Sequence, residues 1–75
     1  MTATRATILL FRTNIRSLQQ QLRLKFLLDQ MKQIERWCID TEDRDRVLKI
    51  ISPTLKPQEV ILSVLSLGFE CSELE

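Results

Sequence analysis

Residues 7–20 read Thr7-Ile8-Leu9-Leu10-Phe11-Arg12-Thr13-Asn14-Ile15-Arg16-Ser17-Leu18-Gln19-Gln20. The first five form a short apolar run, rich in strand formers and too short for a stable helix. Ser17 suits a helix N-cap, and Gln20, three residues later, completes a capping-box pattern. Leu24, Leu27, Leu28 and Met31 then recur at i, i+3, i+4 and i+7, which makes one apolar face. The stretch therefore predicts a strand, a turn, and a helix from Ser17 to about Lys32. The turn holds no reactive group.

The remaining elements follow from this start. Ile34 to Ile39 nearly alternates β-branched and aromatic residues with polar ones, as a strand does. Asp40-Thr41-Glu42-Asp43-Arg44-Asp45 is polar and charged, as a hairpin connection would be, and Arg46 to Ser52 returns to strand character. Strands joined this closely run antiparallel. Ser52-Pro53-Thr54 stops the second of them. Pro57 suits the first turn of a second helix, where its missing N–H costs nothing. Val60, Val64 and Leu67 share one face of that helix, and Gly68 takes the usual place after its end. Phe69 to Leu74 alternates as a last strand. The order is β-α-β-β-α-β. A split β-α-β arrangement meets the right-handed crossover rule and predicts an α+β, ferredoxin-like sandwich, a four-stranded antiparallel sheet with both helices on one face.

A chain of 75 residues allows one domain, spanning residues 1–75, with a thin core. An apolar share of 44% with 28% charged residues excludes a disordered chain. No apolar run approaches the ~20 residues of a membrane span. The run from Ala6 to Phe11 is too short for a signal peptide and has no cleavage site after it, so a cytoplasmic location is expected. Histidine is absent, which removes the commonest general base and the commonest nitrogen ligand. Residues 1–36 hold seven Lys/Arg and two Asp/Glu, a net +5, whereas residues 37–75 hold four and eight, a net −4. The plain reading is one basic and one acidic edge; the sharper one is head-to-tail self-association.

Several pieces together resemble the heavy-metal-associated domains of metal chaperones and metal-pump N-termini, over nearly the whole chain. Ile34, Trp37 and Ile39 before Asp40 are similar to that family's Gly-Val-x-x-Val-x-Val-Asp strand, with Gln33 in place of its glycine. Val47-Leu48-Lys49-Ile50 resembles its third strand. Leu55-Lys56-Pro57-Gln58-Glu59-Val60-Ile61 resembles its Val-Thr-Pro-Glu-Glu-Ile helix start, and Leu67-Gly68-Phe69-Glu70 its Ala-Gly-Tyr signature. The first loop departs from the pattern. Where the family reads Met-x-Cys-x-x-Cys, counting back from Ile34 puts Ile15 at the buried methionine and Ser17 and Gln20 at the two cysteines. The count also gives the first strand one extra residue, read as a bulge. A hydroxyl and an amide are poor ligands for Cu(I) or Zn(II), which take thiolates. The resemblance therefore implies the fold but no metal site and no cofactor. It points to a non-enzymatic protein-interaction or regulatory module linked to metal homeostasis; the alternative is a metal-binding or transport protein using non-standard ligands.

Cys38 and Cys71 are expected reduced, Cys38 on the open sheet face and Cys71 facing inward, on strands at opposite edges and too far apart for a disulfide. Trp37 reads as a core residue. Arg12, Arg16, Arg23 and Lys25 do not make a nucleic-acid site, because the middle strands offer Val47, Lys49 and Ile51 instead of stacking aromatics. Asn14 and Arg16 beside a helix start resemble one corner of an acylphosphatase-like loop, but nothing else of that loop is present, and no catalytic residue is assigned. The strongest functional signal is apolar surplus on the helices. Leu18, Leu22 and Phe26 project away from the first helix's core stripe, and Ile61, Leu62 and Leu65 lie outside that of the second. These six are expected to form one patch on the helical layer, for a protein partner or a second copy.

Overall fold

The computed structural model describes residues 6–74. Its elements are β1 (Thr7–Thr13), α1 (Leu18–Leu28), β2 (Arg36–Asp40), β3 (Val47–Ser52), α2 (Pro57–Leu65) and β4 (Cys71–Glu73). The strands form one antiparallel sheet in the order β2-β3-β1-β4. The fold is thus α+β with four strands and two helices, in the expected sequence of elements. No helix among the described residues is long and apolar enough to cross a membrane.

Alternation along the central strands builds the core. Phe11 and Thr13 of β1, and Leu48, Ile50 and Ser52 of β3, turn to one side and are buried. Leu24 and Leu28 of α1 and Val60 and Val64 of α2 close over the same cluster. The buried hydroxyl of Ser52 accepts from the N–H groups of Thr54 (3.3 Å) and Leu55 (3.0 Å), which turns the chain toward α2. Gly68 has φ 89°, a left-handed conformation that disfavours a side chain, and its N–H closes the end of α2 on the Leu65 carbonyl at 2.9 Å.

The boundaries differ from expectation for local reasons. The first helix stops at Leu28 rather than near Lys32, because the Gln30 and Met31 N–H groups bond three residues back, to Leu27 and Leu28, in tight turns. These turns still hold Met31 against the core. β1 extends past Phe11 to Thr13 because β4 pairs there. No bulge interrupts those pairings: β1 matches β3 one for one from Thr7↔Ser52 to Phe11↔Leu48, and β4 from Phe11↔Glu73 to Thr13↔Cys71. Trp37 is half-buried rather than enclosed; its ring packs against the core while Nε1–H donates to Asp29 Oδ1 at 3.1 Å.

Candidate functional site

The loop between β1 and α1 is filled by structural hydrogen bonds. The Ser17 hydroxyl accepts from the Gln20 N–H at 3.1 Å. The Gln20 side-chain carbonyl accepts from the N–H groups of Ser17 (3.0 Å) and Arg16 (2.7 Å). Both side-chain oxygens are thus committed to the start of α1, as the capping-box pattern predicts. Ile15 is fully buried, and its N–H reaches the Thr13 hydroxyl at 3.3 Å. The Asn14 side-chain carbonyl accepts from the Glu70 N–H at 2.9 Å and so ties the loop to the approach to β4. Thr13, which the sequence did not single out, also fastens the 40–46 loop. It donates from its hydroxyl to the Arg46 carbonyl at 2.6 Å and from its N–H to the Asp45 carbonyl at 3.1 Å.

The cysteines lie apart. Cys38 is exposed on β2, and Cys71 packs partly against the core from β4. Those strands are the two edges of the sheet, three spacings or about 14 Å apart. Burial pushes the Cys71 thiol up to about 11. Among the described residues, no three His, Cys, Asp or Glu side chains converge as a metal cluster.

The apolar surplus of the helices is on the surface where helical periodicity put it, with two corrections. Leu18, Leu22 and Phe26 are 72%, 57% and 74% exposed, and Leu62 and Leu65 are exposed too. Ile61 is not: it sits half-buried against the core, because it flanks Val60 and lies only about 100° from it on the helix. Nor do the exposed residues form one patch. Asp29, on the side of α1 that carries Leu18 and Leu22, holds Trp37 of β2 and the Lys25 ammonium (2.6 Å), so this ridge leans toward β2. Those two hydrogen bonds, Lys25 first, keep the Asp29 carboxyl below its ordinary value. The opposite flank of α1 carries Arg23, whose Nη2–H donates to the Leu67 carbonyl at 2.9 Å and whose guanidinium lies 5.1 Å from the Phe69 ring centroid. Arg23 thus fills the seam between α1 and the end of α2. Leu65 opens on the other side, onto a shallow groove shared with Arg12, Glu70 and Cys71.

A further apolar surface lies on the sheet, outside the sequence-based expectation. On the face away from the helices, Ile8 pairs with Ile51, which pairs with Arg36; Leu10 pairs with Lys49, which pairs with Cys38. Ile8 is 58% exposed and Leu10 41%. The signal was present in Thr7 to Phe11. An uninterrupted apolar run in a strand with helices on only one side must turn every second residue to the open face.

No protein-family model matches the chain, and neither a curated protein nor a solved structure matches it.

Proposed function

We propose that the chain is a non-enzymatic protein-interaction or regulatory module of ferredoxin-like fold, similar to heavy-metal-associated domains but without thiolate metal binding at its first loop. The observation that carries this reading is the α1 ridge. Three large apolar side chains stand 57–74% exposed on one short helix, Leu18, Leu22 and Phe26, beside the Lys25–Asp29 ion pair. Large apolar groups held together on a surface favour a partner that removes them from water, and each gains about 1.5–3 kcal/mol if fully buried. A polar pair beside them gives such a contact direction. The strand order β2-β3-β1-β4 supports the ferredoxin-like description. The commitment of Ser17 and Gln20 to the helix cap supports a module that does not carry metal there.

The test is a paired interaction screen in cytoplasm with proximity labelling, comparing the parent chain with Leu22→Ser/Phe26→Ser. The same partner should be labelled by the parent and lost in the variant, whose circular dichroism stays unchanged. Identical labelling by both would remove the ridge from the function. Native mass spectrometry after Cu(I) or Zn(II) exposure separates the metal-carrier alternative. Stoichiometric metal that persists in Cys38→Ser would establish that alternative instead.

A further inference from the structure

Two faces of the molecule are apolar and oppositely charged, and neither has a use in the interaction through α1. The open sheet face centres on Ile8, Leu10 and Ile51. Its cations are Lys49, in the middle of the block, and Arg36 at its edge; neither belongs to the ion pairs formed among the described residues. Arg12, on the same face, is held by Asp45 at 3.3 Å. The other face is the outer side of α2, with Leu62 and Leu65 exposed. Glu59 lies in the first turn of that helix, and Glu70 and Glu73 flank it along β4, on which α2 packs. None of these three carboxylates is in an ion pair among the described residues.

We propose that the open sheet face of one copy receives the outer face of α2 from a second copy, in a head-to-tail contact. Charge selects this pairing over the symmetric ones. Two sheet faces meeting about a two-fold axis would repeat a face on which Lys49, Arg36 and Arg12 outnumber its one carboxylate, Asp40. Two α2 faces would repeat Glu59, Glu70 and Glu73, which outnumber the Lys56 cation at the N-cap of that helix, since an isologous interface repeats one patch. Crossed pairing puts Lys49 and Arg36 opposite carboxylates and leucines opposite isoleucine and leucine. The spacing suits it. Leu62 and Leu65, at i and i+3, stand about 5–6 Å apart. Ile8 and Ile51 on adjacent strands are about 5 Å apart, and Ile8 and Leu10 along one strand about 7 Å. The incoming helix would cover the open side of the sheet as the resident helices cover the other, giving three layers. A heterologous contact leaves one face free at each end, so it propagates unless it closes into a ring.

Complementation in analytical ultracentrifugation tests this. The parent chain should gain mass with concentration over 5–500 μM, beyond the dimer, and less so as NaCl rises from 50 to 500 mM. Ile8→Glu and Leu62→Glu each alter an exposed residue and should each remain monomeric alone, with unchanged circular dichroism. Ile8→Glu retains a sound α2 face and Leu62→Glu a sound sheet face, so an equimolar mixture should form a dimer that grows no further. Phe26→Ser should associate like the parent. A parent that stays monomeric at 500 μM overturns the proposal. So does dimerisation of either single variant, a mixture that stays monomeric, or loss of association in Phe26→Ser. The last result would transfer self-association to the α1 ridge, and the ridge variants of the interaction screen are judged separately.

Discussion

Replacing Ser17 by alanine separates a helix cap from a degenerate ligand position. The hydroxyl satisfies one of four N–H groups that the start of α1 leaves without partners inside the helix. Its loss costs about 1 kcal/mol, within the ~0.5–2 kcal/mol span of N-cap replacements. The site is exposed, which places the cost in the lower half of that span, because water takes over the freed N–H. For 75 residues the unfolding entropy near the midpoint is about 0.16 kcal/mol/K, so 1 kcal/mol lowers Tm by about 6 °C. Ser17→Asp supplies the control. Aspartate caps as well as serine, and α1 has no acidic residue in its first turn. A carboxylate there meets the positive end of the helix dipole, which adds about 0.3–1 kcal/mol at low salt. Ser17→Asp should therefore match or exceed the parent Tm while Ser17→Ala falls. Differential scanning calorimetry at pH 7 reads both. A Ser17→Asp variant as unstable as Ser17→Ala would refute the cap reasoning, as would an Ala variant within 1 °C of the parent.

Other outcomes follow from burial and charge. Leu24→Ala opens the core and should lose about 2–5 kcal/mol in urea unfolding, a large part of the ~4–11 kcal/mol expected for a chain this long, whereas Phe26→Ala should stay within about 0.5 kcal/mol; equal losses would refute the assigned faces. A thiol reagent at pH 8 should modify Cys38 rapidly and Cys71 slowly, since a thiol with pKa about 11 is ionised in only about one molecule per thousand at that pH; equal rates in the folded protein would refute the burial of Cys71. Burial also raises this thiol from 9.0 to about 11, so the folded state holds its proton over a range where the unfolded state has released it, and stability should fall as pH rises from about 9 to 11. Cys71→Ser should flatten that limb, and an unchanged slope would count against it. The depressed Asp29 carboxyl acts in the other direction: its contribution is present above about pH 3.8 and is lost as pH falls through its lower folded value. Trp37, the sole tryptophan in a chain without tyrosine, should report that step in its fluorescence, and Asp29→Asn should abolish it; a step that survives the substitution would belong to another group.

Much of the architecture was written locally. The Ser17–Gln20 cap, the Leu24/Leu28 stripe, Pro57 at the head of α2 and Gly68 after its end each act over one turn of chain, so near neighbours suffice to specify them. Element ends were less legible, because partners distant in the sequence set them. β1 runs to Thr13 because Cys71 pairs with it, and the Thr13 hydroxyl finds its acceptor in the 40–46 loop, 33 residues away. The surfaces divide in the same way. Periodicity alone put Leu18, Leu22 and Phe26 outside the core. It did not say that Ile61 would be half-covered, that Arg23 would fill the seam between the helices, or that the ridge of α1 would lean toward β2 while Leu65 opens beside β4. Those outcomes depend on how two helices sit side by side on one sheet. The apolar open face of the sheet belongs to both levels: the run Thr7 to Phe11 contains it, and only the placement of both helices on the other side leaves it exposed to water.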